Sequence, residues 1–348
     1  MPGKYKSSAS IISVEEAVGK VLAHDITEIR PGEFKGPAFR KGHIISVEDV
    51  EHLKRLGKEH IFVLHLSPGE IHEDEAALRL VKALCGEGVR FETPPAEGKI
   101  AVKAARRGLL HVKVEALTAF NVCEDVTCST RHTNTLVEEG ETLAATRAIP
   151  LIIDEKTLEK AVAVAREAGG IISVRPMAHP KTDLVITGSE VYKGRIDDKF
   201  APIIRKKASD YQFDLRNITF VPDDKERISG AIGESLDAGV EFLLVAGGMS
   251  VDPDDVTRMA IADAGAEDVV YGTPVLPGAM FLYGRFGDVP VLGLPACVLF
   301  YRATVLDLVL PRVLAGDRIT RRDLAELAHG GYCLNCTSCR YPVCPFGK

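Results

Sequence analysis

Tryptophan is absent from this 348-residue sequence, and aromatic residues make up only 6% of it. That scarcity argues against an aromatic platform for stacking bases or sugars. Long hydrophobic runs are lacking too. The longest, Pro290–Tyr301, falls far short of the roughly 20 residues that a membrane-spanning helix needs. The start offers no secretory core: Lys4 and Lys6 precede a short apolar stretch, Ala9–Val14, which Ser10 and Ser13 interrupt and Glu15 closes. A cytoplasmic location is therefore expected. Nor is there an excess of positive charge, because Lys+Arg at 43 against Asp+Glu at 49 gives a net charge of −6. This balance argues against general nucleic-acid binding. What is present, 46% hydrophobic and 26% charged residues, suffices for sizeable cores. The length allows two domains plus an appendage.

Three regions separate by pattern. Residues 1–180 read as α+β, with room for two subdomains meeting near the loop Glu92–Lys99. Short strand-like pieces (Ile61–Leu64, Leu110–Val114) alternate with helical periodicity over Ser46–Leu56 and Asp74–Leu84. Turn signals stand at Pro31-Gly32, Pro68-Gly69, Pro94-Pro95 and Glu139-Gly140. Residues 181–316 change to buried strands alternating with amphipathic helices. Strands are expected at Leu184–Ile186, Ile218–Val221, Phe242–Val245, Ala279–Tyr283 and Val289–Leu292. Helices are expected at Asp198–Lys207, Lys225–Ala238, Asp255–Ala264 and Val298–Leu314. This alternation predicts an α/β fold with a mostly parallel sheet covered on both faces, its ligands beyond the carboxyl ends of the strands. Residues 317–348 form a third region, a short polar helix that breaks at Gly330-Gly331 into a cysteine cluster.

The loops after those strands carry the chemistry. Thr187-Gly188-Ser189-Glu190 gathers hydroxyls and backbone N–H groups, which suit phosphate, next to a carboxylate that suits an accompanying cation. In Asp223-Asp224, the second residue is expected to cap the helix that follows, which leaves Asp223 for a ligand or cation. The third loop runs Gly247-Gly248-Met249-Ser250 into Asp252, Asp254 and Asp255. Its glycines permit close approach of an anion, Ser250 adds a hydroxyl, and the next helix can point its positive end there. Mg²⁺ would reconcile the carboxylates with a phosphate.

Taken in order, Thr187-Gly188-Ser189-Glu190, Asp223-Asp224, the Gly-Gly-x-Ser run through Asp255, Pro277-Gly278 and Leu294-Pro295 resemble the molybdopterin-binding domain of molybdenum-cofactor biosynthesis proteins. The molybdopterin molybdenumtransferases are the most similar. The stretch Ser13–Ile26 bears a partial likeness to the opening of those enzymes. The resemblance implies a three-layer α/β domain over 181–316 that binds molybdopterin, or a nucleotide form of it, as ligand or substrate. By the same resemblance Thr187, Gly188, Ser189, Gly247, Gly248, Ser250, Pro277, Gly278 and Pro295 contact that ligand. Glu190, Asp223 and Asp255 are the implied catalytic carboxylates, with Mg²⁺ assisting at the phosphate. A homo-oligomer is also implied. The chain departs where the transferases have Pro-Gly-Lys-Pro and Pro-Gly-Asn-Pro: it has Pro277-Gly278-Ala279-Met280 and Pro295-Ala296-Cys297-Val298. Three roles therefore stand open: a transferase-like enzyme, a non-catalytic carrier or sensor, and a pterin or nucleotide hydrolase on the same fold. The basic clusters Lys103-Arg106-Arg107 and Arg205-Lys206-Lys207 read as solvated faces; either one, if it lined the cleft, would replace the missing lysine.

Four of the eight cysteines, Cys333, Cys336, Cys339 and Cys344, fall at the very end of the chain. Thiolates spaced by two residues can converge on one centre, so the spacing predicts a Zn²⁺ site or a [4Fe–4S] cluster. Cys123 and Cys128 are expected to pack or lie at a strand edge, and Cys297 to act as a small apolar residue.

Overall fold

The computed structural model describes residues 9–30, 33–64, 66–96, 98–250, 252–253 and 255–348. Lys4, Lys6, the Pro31-Gly32 turn, Glu97 of the 92–99 loop, and Val251 and Asp254 of the third loop lie outside the described residues. The chain divides into two compact units, one ending at residue 174 and the other built from 134–136 and 175–348. Among the described residues, no helix is long and apolar enough to cross a membrane.

In the first unit, two cores form. Residues 14–61 gather around Leu22, Ile45 and Leu53, beside the antiparallel pair Ala9–Ser13 and His60–Leu64. The larger core belongs to a four-stranded antiparallel sheet in the order Val89–Phe91, Lys99–Ala104, Thr142–Ala148, Val126–Thr130. Helices Glu73–Leu84 and Glu155–Glu167 bury Leu80, Leu84, Leu158 and Val162 in it. On either side of the 92–99 loop, Val89–Phe91 and Lys99–Ala104 pair antiparallel in this one sheet. The strand expected over Leu110–Val114 is Gly108–Val112, and Val114 already opens the helix Val114–Val122. Helical spacing of Ala116, Leu117 and Phe120 explains that earlier turn to helix. Cys128 is buried and Cys123 half-buried, as expected of packing thiols.

Strands with long buried runs form where both faces of a sheet are covered, and the second unit is built on three of them. Lys181–Thr187, Phe242–Ala246 and Val289–Leu294 lie parallel, with Asp214–Val221 parallel on the outer edge. On the other side, Leu282–Phe286 and Glu267–Tyr271 continue the sheet antiparallel, so it has six strands and is mostly parallel. Side chains alternate across it. Leu184, Ile186 and Leu244 face a core shared with the helices Phe200–Tyr211 and Val305–Leu314. Val185, Leu243 and Val245 face Ile228, Ile232 and Ile261 of the helices Lys225–Asp237 and Thr257–Asp263. The result is a three-layer α/β arrangement. The long apolar helix expected from Val298 is interrupted. A 3-10 turn covers Ala296–Leu299, and Thr304 with Asp307 forms a capping box that starts Val305–Leu314 afresh. Asp224 caps Lys225–Asp237 by accepting from the Arg227 N–H at 2.9 Å.

Past residue 316 the chain stays on this unit. Asp317 accepts from Arg175 at 2.6 Å and from Arg312 at 2.9 Å, and Arg312 also reaches Asp323 at 2.6 Å. Burial pushes the Asp317 carboxyl up, but the two guanidiniums outweigh it and hold it below the usual carboxylate range. A group depressed on folding stabilises the fold above its unfolded pKa of about 3.9 and stops doing so as pH falls through the folded value. Asp317→Asn is therefore expected to be less stable than the parent at neutral pH, with the gap closing below about pH 4. Urea midpoints across pH measure this; a gap independent of pH would refute it.

Candidate functional site

The site is set by three strand ends that converge on one turn. Thr187 closes its strand and is buried, its hydroxyl hydrogen-bonded at 3.0 Å to that of Thr257 at the start of a helix. Above this pair, Gly247 and Gly248 turn with φ of +95° and +59°. A Cβ on Gly247 would stand 2.5 Å from the Thr187 carbonyl oxygen, and one on Gly248 would stand 2.3 Å from the Thr257 hydroxyl. Only glycine fits so close to a neighbouring backbone. Thr187 thus supports the turn from below and does not line the cavity.

That cavity, of about 730 Å³, is walled by Gly247, Gly248, Ser250, Asp255, Pro277, Gly278 and Pro295. These predicted residues come from loops separated in sequence. Met249, Met280, Cys297 and Tyr301 add to the wall. Cys297, expected to be a small buried residue, is half-exposed in this wall, although burial still pushes its thiol up. Gly188, Ser189, Glu190 and Asp223 are not in this wall. The first and second loops bind each other: the Ser189 N–H donates to the Asp223 carboxylate at 2.7 Å, and the Asp223 N–H donates to the Ser189 hydroxyl at 3.2 Å. Glu190 is exposed on the short helix Ser189–Tyr192.

Asp255 accepts from the Ser250 N–H at 2.9 Å. It holds one of the backbone donors that were expected for an anion. The helix behind it starts only at Thr257 and runs to Asp263. Glu190, Asp223 and Asp255 therefore do not form a common ligand set. Among the described residues, no group of three or more His, Cys, Asp or Glu side chains is arranged to hold a metal ion. The carboxylates present do not fit the expected Mg²⁺. The basic clusters do not compensate. Lys206 pairs with Asp210, Lys207 is committed to Asp307, and Lys103 and Arg106 pair with Glu92 and Glu87. No Lys, Arg or His side chain is among the described residues of the cavity wall.

One wall was not anticipated. Tyr332, Cys333 and Asn335 of the cysteine tail face the same cavity. Leu276 donates its N–H to the Gly331 oxygen at 2.8 Å, and the Cys333 N–H donates to the Leu276 oxygen at 2.8 Å. This short parallel bridge fastens the tail beside Pro277-Gly278. Gly331 allows this close approach: a Cβ there would lie 3.0 Å from the Pro274 oxygen. Beyond it, Phe346 is buried, and Tyr341 donates its hydroxyl to the Asp307 carbonyl at 3.0 Å. Cys333, Cys336, Cys339 and Cys344 all line a second cavity, of about 220 Å³. All four are unpaired; Cys336 is exposed and the others half-buried.

Residues 183–315 match the sequence profile of the family described as probable molybdopterin binding domain. The segment 183–315 belongs to that domain family. Residues 11–65 match a family described as a domain of unknown function (DUF8806). Among curated proteins, Protein TK1472 of Thermococcus kodakarensis is 34% identical over 82 residues, which is 24% of this chain and 33% of that protein. A CinA-like protein of Sulfurihydrogenibium sp. is 31% identical over 91 residues, 26% of this chain and 22% of its own length. The chain spans about a third of the length of the first curated relatives it matches. Among solved structures, CinA from Thermoplasma acidophilum, of unknown function, covers 39% of this chain and 98% of its own at 18% identity and a TM-score of 0.35. MoaB, a molybdopterin biosynthesis enzyme from Thermus thermophilus, covers 40% and 98% at 20% identity and a TM-score of 0.33. Among the described residues the cavity wall is mostly apolar, with Ala279 and Met280 after Pro277-Gly278 and one carboxylate, Asp255.

Proposed function

We propose that this protein binds molybdopterin in the cavity beside Gly247–Ser250 and serves molybdenum-cofactor biosynthesis as a carrier of the pterin. The observation that carries this is the meeting of the Gly-Gly-x-Ser loop, Pro277-Gly278 and Pro295 in one cavity large enough for a bicyclic ligand. Its apolar side chains suit a flat heteroaromatic ring, while the Ser250 and Tyr301 hydroxyls supply orienting hydrogen bonds. The carrier role is favoured over a transferase or hydrolase because, among the described residues, the wall holds no Lys or Arg to steady a transferring oxyanion, and its carboxylate, Asp255, is engaged by the Ser250 N–H. In the same reading the tail cysteines hold a thiophilic centre, Zn²⁺ or [4Fe–4S]. Eight unpaired thiols fit a reducing compartment such as the cytoplasm.

Titration of the purified protein with molybdopterin tests this. Saturable binding is expected. Ser250→Ala should weaken it by about tenfold or more, the worth of one hydrogen bond to a charged group. Asp255→Asn should tighten it, because a carboxylate facing an anionic ligand is removed while an oxygen remains to accept from the Ser250 N–H. Absence of saturable binding, or binding indifferent to both changes, would sink the proposal. Molybdate insertion with multiple turnovers would replace the carrier role with the transferase one.

A further inference from the structure

The larger cavity obtains polar groups from two sources. Ser250 and Tyr301 belong to the α/β layers; Tyr332 and Asn335 arrive on the tail. Tyr301, Tyr332, Cys333 and Asn335 line both cavities, so the pterin-type site and the thiol-lined site share a wall. That wall is fastened at one end by the backbone hydrogen bonds of Leu276 with Gly331 and Cys333. Beyond Tyr332 the chain forms no helix or strand, and residues 334–338 are exposed. Backbone of this kind keeps much of its conformational freedom unless something ties it down. Arg302 and Arg340 border the second cavity. Their charge suits an anionic ligand set, because four thiolates around Zn²⁺ or a [4Fe–4S] core leave a net negative charge.

We propose that the tail is a working part of the ligand site: a thiophilic metal centre on Cys333, Cys336, Cys339 and Cys344 fixes Tyr332 and Asn335 in the shared wall, so that metal occupancy sets pterin affinity. The ligand half of this statement rests on the pterin-binding reading above. Each thiol releases its proton to solvent on ligation, and the ordering of the tail is supplied by metal binding. As placed, the thiols share a cavity without forming a coordination group. Closing them on one centre moves the exposed stretch around Cys336, and that stretch carries Asn335. Coupling is then reciprocal: what metal does for the pterin, the pterin does for metal.

The experiment uses the full chain, purified anaerobically and assayed for zinc and iron. It is then stripped by chelator and reloaded with Zn²⁺ alone, or with ferrous iron and sulfide. About one zinc ion or about four iron atoms per chain is expected, and the arm that restores this content identifies the centre. Cys336→Ser/Cys339→Ser should lose the metal. Stripping should lower molybdopterin affinity about tenfold or more, and reloading should restore it. Tyr332→Ala should keep the metal and lose affinity. Hydrogen exchange at the Leu276 and Cys333 amides should slow on loading, a readout that needs no pterin. Metal content near zero in both arms, or affinity and exchange unchanged between loaded and stripped protein, overturns the proposal. Slowed exchange without any molybdopterin binding upholds the metal-ordered wall and overturns the pterin reading instead.

Discussion

Gly247→Ala is expected to abolish saturable ligand binding, whereas Gly239→Ala leaves it intact. Both glycines have positive φ, +95° and +74°. A side chain in that region carries roughly 1–2 kcal/mol of backbone strain, so both variants lose stability. The difference between them is steric. Around Gly239 nothing lies within 4 Å of a new Cβ, while at Gly247 the Thr187 carbonyl oxygen stands at 2.5 Å and the Thr187 hydroxyl at 2.8 Å. The oxygen cannot step aside cheaply, because Thr187 is paired with Val221 at the end of a buried parallel strand. The turn must move instead, and with it Gly248 and Ser250, which form the cavity wall. Overpacking of this kind adds about 1–3 kcal/mol, so Gly247→Ala should also melt several degrees below Gly239→Ala. Melting curves and ligand titration, run on both variants, check this. Equal affinity in the two variants would show that the Gly-Gly turn does not shape the site.

The α/β layers were legible because runs of consecutive apolar residues mark most of their strands. Leu184–Ile186, Ile218–Val221 and Phe242–Val245 each fall inside an observed strand. Glu267–Tyr271 was missed: it is an exposed edge strand with no apolar run to mark it. At the site, glycine and proline positions were readable because backbone geometry dictates them. Polar side chains were not. Asp223 and Asp255 have the composition of cation ligands, yet each spends an oxygen on a neighbouring N–H, Ser189 and Ser250 respectively. Such local partners depend on loop conformation, which the residue types alone do not determine. Tyr332 and Asn335 escaped notice for a different reason. Their place in the wall follows from the bridge between Leu276 and Tyr332, a long-range pairing with no periodic pattern behind it.

Lys207→Met is expected to destabilise the second unit more than Asp307→Asn does. Asp307 is 3% exposed. Its carboxylate caps a helix by accepting from the Thr304 N–H at 2.9 Å, takes the Tyr211 hydroxyl at 3.1 Å, and is neutralised by Lys207. Removing the ammonium leaves a buried charge with only neutral donors, and breaking a buried pair in this way costs about 3–5 kcal/mol. Asp307→Asn removes the charge as well as the pair. The ammonium it leaves behind still has the Arg302 carbonyl at 3.2 Å, and the amide oxygen can still accept at the helix start. The double variant Lys207→Met/Asp307→Asn should therefore be more stable than Lys207→Met alone, a recovery that simple addition of two losses cannot produce. Urea denaturation followed by circular dichroism measures all four corners of the cycle. Strict additivity would mean that the pair is screened by solvent and not buried. The same helix carries the Asp307 carbonyl that receives the Tyr341 hydroxyl. Loosening it should consequently raise hydrogen exchange along the cysteine tail before the rest of the unit unfolds.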